Sequence, residues 1–132
     1  MDYVKIGGIP YDVLVVNIKE SFNILYSENT GRVISAGAKM VLDPLGTFIG
    51  HKVTFKRKQG HEREYDELFE YLLFPRYDGI PIEIVHNQKT RSYLAYVSTG
   101  ERALQRIDAN TGVVYWGEFS ANFIPMEAQV IP

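Results

Sequence analysis

Four side chains in this sequence could begin a chemical step: Glu20, His51, His61 and His86. A carboxylate beside an imidazole is the least that general acid–base catalysis requires, and Glu20 with His51 in one cleft would supply it. The simpler reading of His51 is a hydrogen-bonded core histidine, because it alternates with Ile49 and Val53 on the inward side of its segment. His61-Glu62 looks like the start of a zinc-binding helix. Position 65 is Tyr, however, so the second ligand of a His-Glu-x-x-His site is missing. His86 falls in a polar turn with Asn87 and Gln88, and no two histidines have ligand spacing. Glu20 lies on the apolar side of its own segment, where burial would demand a partner such as Arg32, Lys39 or Arg91.

The other chemical signatures are weaker. Glu64, Asp66, Glu67 and Glu70 share one helical face with Arg63 nearby, which describes a solvated surface rather than an acid pair held across a cleft. Gly7-Gly8 runs into Ile-Pro, with no Lys-Ser/Thr and no helix to cradle a phosphate. Lys56-Arg57-Lys58 is split over two faces by strand alternation, and its ordinary role is to keep an edge strand soluble. A net charge of −2 argues against a chain that holds nucleic acid electrostatically. The absence of Cys removes disulfides, thiolates and cysteine metal sites together. No catalytic residues, cofactor or metal are expected. Met1–Pro10 lacks the apolar core of a signal peptide and the apolar runs are only a few residues long, so the expectation is a soluble chain made inside the cell, with no membrane partner.

The elements that must position these residues are mostly extended. At 132 residues the chain is long enough for one domain with a single core, taken here as 1–132. The spacing predicts one helix, Glu62–Phe74. There Tyr65, Leu68, Phe69, Leu72 and Leu73 fall at helical period, and Pro75 ends it. Burying those five side chains is worth roughly 1.5–3 kcal/mol each before entropy, so the helix should lie on a sheet.

Alternation predicts strands at Tyr3–Ile6, from Val16 to Tyr26, from Val33 to Leu42, over Phe48–Lys58, at Ile80–Val85, Ser92–Val97 and Ala103–Ile107, and over Val113–Ile124. In the last of these Val113, Tyr115, Phe119, Ala121 and Phe123 share the core face. Trp116, Glu118, Ser120 and Asn122 share the wetter one. Asn-Thr-Gly occurs at Asn29–Gly31 and at Asn110–Gly112, which reads as reused turn chemistry. The order β-β-β-β-α-β-β-β-β with short connections implies a mainly β (α+β) fold. It is an antiparallel β-sandwich or partly closed barrel with one flanking α-helix at about 62–74.

Arg32 and Trp116 remain, both of types enriched at protein interfaces. They also belong to a wider ordered pattern. A strand ends in Val4-Lys5-Ile6-Gly7-Gly8-Ile9-Pro10, and a strand with Glu20-Ser21 leads through a polar loop to Arg32 and Gly37. Asp43 to Ile49-Gly50 precede a strand ending in Phe55. The helix carries Leu68 and Leu72; an Ile82–Val85 strand, Ala95-Tyr96-Val97 and a last strand opening at Trp116 follow. Over nearly its full length this pattern resembles the small tail-associated structural proteins of long-tailed phages and prophages of Gram-positive bacteria.

The resemblance implies a tail-tube or distal-tail-like β-sandwich that assembles into rings, commonly sixfold, with itself and with other phage tail proteins. Its place would be the virion tail or baseplate, after assembly in the bacterial host cytoplasm. It implies no catalytic activity. The segment Ser27, Glu28, Asn29, Thr30, Gly31 and Arg32 would be an arm-like assembly loop, with Trp116 as a second contact. The alternative is a ligand- or carbohydrate-binding β domain stacking its ligand on Trp116, Tyr115 and Tyr96.

Overall fold

Alternating residues make strands and the 3–4 spaced stripe makes a helix, and the chain follows both rules in order. The computed structural model describes residues 4–132. Its strands are β1 (Val4–Ile6), β2 (Leu14–Tyr26), β3 (Gly31–Val33), β4 (Lys39–Val41) and β5 (Pro44–Lys56). Helix α1 (Glu62–Leu73) precedes β6 (Ile80–His86), β7 (Lys89–Tyr96), β8 (Gly100–Ile107) and β9 (Val114–Pro125). Tyr3, expected to open the first strand, lies outside the described residues.

Seven strands join in one antiparallel sheet, in the order β1-β6-β7-β9-β5-β2, with β8 also paired to β9. β3 and β4 pair with each other. The sheet is strongly curled into a half-barrel, the partly closed barrel that the pattern allowed. No helix among the described residues is long and apolar enough to cross a membrane.

The concave face holds the core. Val53 and Phe55 from β5, Ile80, Ile82 and Ile84 from β6, Ala95 from β7, and Phe119, Ala121 and Phe123 from β9 are all buried. Helix α1 covers this face with Tyr65 and Leu68, while Phe69 and Leu72 pack at its margin. Phe119 is the hub: its ring meets Phe55 at 5.1 Å and both Tyr65 and Phe69 edge-on at 5.3 Å. The Tyr65 hydroxyl donates to the Gly117 carbonyl, which ties the helix to the sheet. Glu62 and Glu64 in the first turn complement the helix dipole.

Several expectations need correction. The helix ends at Leu73, and Phe74 is its extended C-cap (φ −77, ψ 118), because Pro75 excludes the helical conformation from the residue before it. Leu73, at the edge of the apolar stripe, is 58% exposed rather than buried. The segment from Val33 to Leu42 is not one strand. Gly37 (φ 73) and Ala38 (φ 61) turn the chain left-handed after a 3-10 turn at Ile34–Ala36, so β3 and β4 become a hairpin.

β2 keeps its expected face, since Ile18, Glu20 and Phe22 stand opposite Val53, His51 and Ile49. That face is nevertheless mostly uncovered, and Phe22 is 72% exposed. Val113 lies just outside β9 and is also exposed. Trp116 is on the other side of its strand from the one expected. Between the rungs Arg102–Phe119 and Leu104–Trp116, β9 spends three residues against two of β8. This bulge at Gly117 turns Trp116 towards the core, where it packs half-buried.

Candidate assembly site

β5 pairs with β9 only from His51 to Phe55, whereas its ladder with β2 continues down to Pro44 and Tyr26. Beyond Ser21 and Gly50 the two strands therefore run on as a ribbon that leaves the half-barrel behind. The β3–β4 hairpin sits at its tip. Both faces of this arm are apolar and open: Phe22, Leu25 and Tyr26 on β2, Ile34 (90% exposed) and Met40 on the hairpin, and Leu42 and Leu45 on the return. Exposed apolar side chains gathered on one projection are typical of interaction surfaces. β2 also ends the sheet, so its outer backbone edge has no strand beside it among the described residues.

Local polar bonds hold the arm in shape. The C-terminal segment lies along β5 where Thr47 and Val130 bridge, and the Gln129 side-chain amide donates to the Ile49 carbonyl at 2.9 Å. Gly46 permits that approach, because a Cβ there would stand 2.6 Å from the Ala128 methyl. At the neck the Ser27 hydroxyl donates to the Asp43 carboxylate, and the Thr30 hydroxyl accepts from the Asp43 amide at 2.8 Å. Arg32 donates to the Ala38 carbonyl at 3.1 Å and so closes the β3–β4 turn.

Of the six loop residues expected at an assembly contact, Ser27, Thr30 and Arg32 thus shape the arm. Glu28 and Asn29 form its exposed corner, and Gly31 begins β3. The large apolar residues around them carry the surface, and reading the loop alone missed them. Trp116 lies far from the arm, at the start of β9, under the Arg102 guanidinium at 4.2 Å. Arg102 also covers Phe69 at 3.9 Å and pairs with Asp66 at 3.1 Å.

Tyr115, the neighbour of Trp116, is sandwiched by Arg57 at 4.6 Å and Arg106 at 4.3 Å. Tyr96 pairs with Ile124, nine residues further along β9 than Tyr115. At about 3.3 Å per residue that separates the two rings by roughly 30 Å, so they do not share a stacking platform.

Where the arm leaves the barrel, the inward rows of four strands each place a polar residue in one layer. Glu20 of β2 stands opposite His51 of β5, and His86 of β6 and Tyr93 and Arg91 of β7 complete the layer. His51 is fully buried. Its Nδ1 is 2.7 Å from the Tyr93 hydroxyl and its Nε2 is 3.1 Å from one Glu20 oxygen. The other Glu20 oxygen lies 2.8 Å from His86 Nδ1, and the Arg91 guanidinium approaches His86 Nε2 at 3.4 Å.

The donors fix the tautomers. The carboxylate can only accept and the guanidinium can only donate, so neutral His51 carries its proton on Nε2 and neutral His86 on Nδ1, which leaves His51 Nδ1 to accept from the Tyr93 hydroxyl. Burial, aided by the charges of His86 and Arg91, pulls the His51 pKa below its usual value despite the Glu20 carboxylate. Burial pushes Glu20 up, yet the hydrogen bonds from His86 and His51 outweigh it and hold the acid below its ordinary range. Burial, then the Glu20 charge, raises the Tyr93 pKa, which keeps that hydroxyl a donor.

The partners of Glu20 are therefore two histidines from its own layer rather than Arg32, Lys39 or Arg91; Arg91 reaches only the second histidine. Every imidazole nitrogen in the layer has a polar partner within 3.4 Å. His61 is separate, with its Nδ1 2.9 Å from the Asp12 carboxylate. Among the described residues no three His, Cys, Asp or Glu side chains gather as a metal would need. In comparison with known proteins, the chain matches no family model and no curated protein sequence.

Proposed function

We propose that this chain is a structural subunit of a phage or prophage tail or baseplate, acting by self-association into rings rather than by catalysis. The observation that carries this reading is the arm, a ribbon whose large apolar side chains stand in water while identical residue types in β6 and β9 are buried. Covering Phe22, Ile34 and Leu42 in a neighbouring copy would recover the stabilisation that the isolated chain forgoes.

A second apolar surface, at Leu73, Phe74 and Tyr77 around the end of α1, lies on a different part of the molecule and gives the arm of the next copy somewhere to go. Contacts between two unlike surfaces are heterologous, and they close into rings when the rotation permits. The resemblance of the ordered sequence pattern to that of phage tail proteins supports the same reading.

The test is electron microscopy of the purified chain over a concentration series, with and without its neighbouring tail proteins. Rings that increase with concentration, or that form on the partner, are expected. A chain that stays monomeric throughout both series would contradict the proposal.

A further inference from the structure

The polar layer at the base of the arm does more than fill space. β2 and the β6–β7 hairpin stand far apart in the sheet order, and no backbone ladder joins them among the described residues. Their connection runs through side chains: Tyr93 to His51, His51 to Glu20, Glu20 to His86, and His86 to Arg91. We propose that this chain of bonds is a proton-controlled clasp, closed near neutral pH and released by mild acid, which sets whether the arm is held against the half-barrel.

The geometry supplies the trigger. Facing one another in the layer are Glu20 from β2, His51 from β5, His86 from β6, and Arg91 and Tyr93 from β7. Lys19 and Lys52 pair on the opposite face of the β2–β5 ladder. With both imidazoles neutral, the layer holds one carboxylate and one guanidinium and is electrically balanced. A proton added to His86 must go on Nε2, which already faces the Arg91 guanidinium. A proton added to His51 must go on Nδ1, which already faces the Tyr93 hydroxyl inside the core. In each case an acceptor becomes a second donor: the His86–Arg91 link is lost, because a guanidinium cannot accept, and the His51–Tyr93 bond must reverse, with the hydroxyl turning its own proton away inside the core.

With both protons added, three cations surround a single carboxylate, and two of them have little water to screen them. The Glu20 side chain is 36% exposed, so protons reach the layer without prior unfolding. The depressed affinity of buried His51 for a proton points the same way, because the closed state resists the charge that acid imposes.

That release matters for ring formation rests on the assembly reading; the clasp itself does not. Because the chain has no native cysteine, spin labels can be placed cleanly at Asn23→Cys on the arm base and Gln88→Cys at the hairpin turn. Their separation is then measured on dilute monomer between pH 7.5 and pH 5. The expected result is one narrow distance at pH 7.5 that is lost to a broader, longer distribution by pH 5.

In a Glu20→Gln background, the broad distribution should already be present at pH 7.5, with unchanged circular dichroism to show that the half-barrel is intact. His86→Gln, which keeps a donor but cannot take up the proton, should retain more of the narrow distance at pH 5 than the parent. A distance that stays narrow across the whole range, or a Glu20→Gln protein as tightly held as the parent at pH 7.5, would overturn the proposal. A chain that opens as described yet never forms rings would count against the assembly reading and leave the clasp standing.

Discussion

The half-barrel beneath α1 and the arm that projects from it are built from the same kinds of residue in the same alternation, and they end in opposite environments. Phe119 and Phe123 of β9 are buried, with a helix above and a strand on either side. Phe22 of β2 occupies the equivalent row, opposite buried Ile49, yet it looks into solvent because neither helix nor strand reaches that far. Period-2 alternation therefore decides which face a side chain takes. Whether anything covers that face depends on how far the neighbouring strands extend. Among the described residues no helix or paired strand covers the open face of the arm, and the proposed assembly would supply that cover from a second copy.

The strongest way to probe this contrast is to cut the hub on the covered side. Phe119→Ala removes the ring on which Phe55, Tyr65 and Phe69 converge and should cost about 3–5 kcal/mol in chemical denaturation. A loss under 1 kcal/mol would mean that α1 does not seal the core. Tyr65→Phe tests the same seal more gently. It strands the Gly117 carbonyl and should cost about 1–3 kcal/mol, with the helix retained by circular dichroism.

Between the two regions lies the Glu20 layer, and its effect on stability has a sign. His51 binds a proton less readily folded than unfolded, so its contribution is complete above the ordinary histidine value of 6.5 and falls as the pH drops below it. Glu20, also depressed, adds a second loss below the ordinary glutamate value of 4.5, and Tyr93, raised, predicts a loss above the ordinary tyrosine value of 10.0. Thermal midpoints measured across this range should form a plateau between about 6.5 and 10 that slopes down on both sides. Glu20→Gln should remove the loss that begins below about 4.5 and, by taking away the charge that holds the His51 pKa up, deepen the loss that begins below 6.5. The smallest effect belongs to the arm, where Phe22→Ser should change the stability of the isolated chain by no more than about 0.5 kcal/mol.

How much of this was legible in the sequence follows from the same contrast. Helix α1 was, because five apolar residues at helical spacing and a following proline leave little choice; only Phe74 was assigned one residue too far. The inward rows of β5, β6 and β9 were legible from alternation. Alternation carried through Gly117 puts Trp116 on the wrong face, and a glycine in a strand interior is the mark of the bulge that turns it. Alternation makes Val33–Leu42 one strand because Ala38 gives no sign that it joins Gly37 in a left-handed turn.

At the site, composition marks Ser27–Arg32 as a loop, but alternation alone assigns its apolar surroundings to a core. Glu20 was recognised as out of place. Its true partners were hidden because they come from β5 and β6, remote in sequence, and only the curl of the sheet brings His86 over β2.

The central claim, that the arm exists to be covered by another copy, is tested most directly by sedimentation velocity on the parent chain and on a Phe22→Asp, Ile34→Asp double variant, with thermal unfolding of each as the control. The account predicts concentration-dependent association of the parent, a monomer at every concentration for the variant, and unfolding midpoints that agree. Equal association of the two proteins would contradict it.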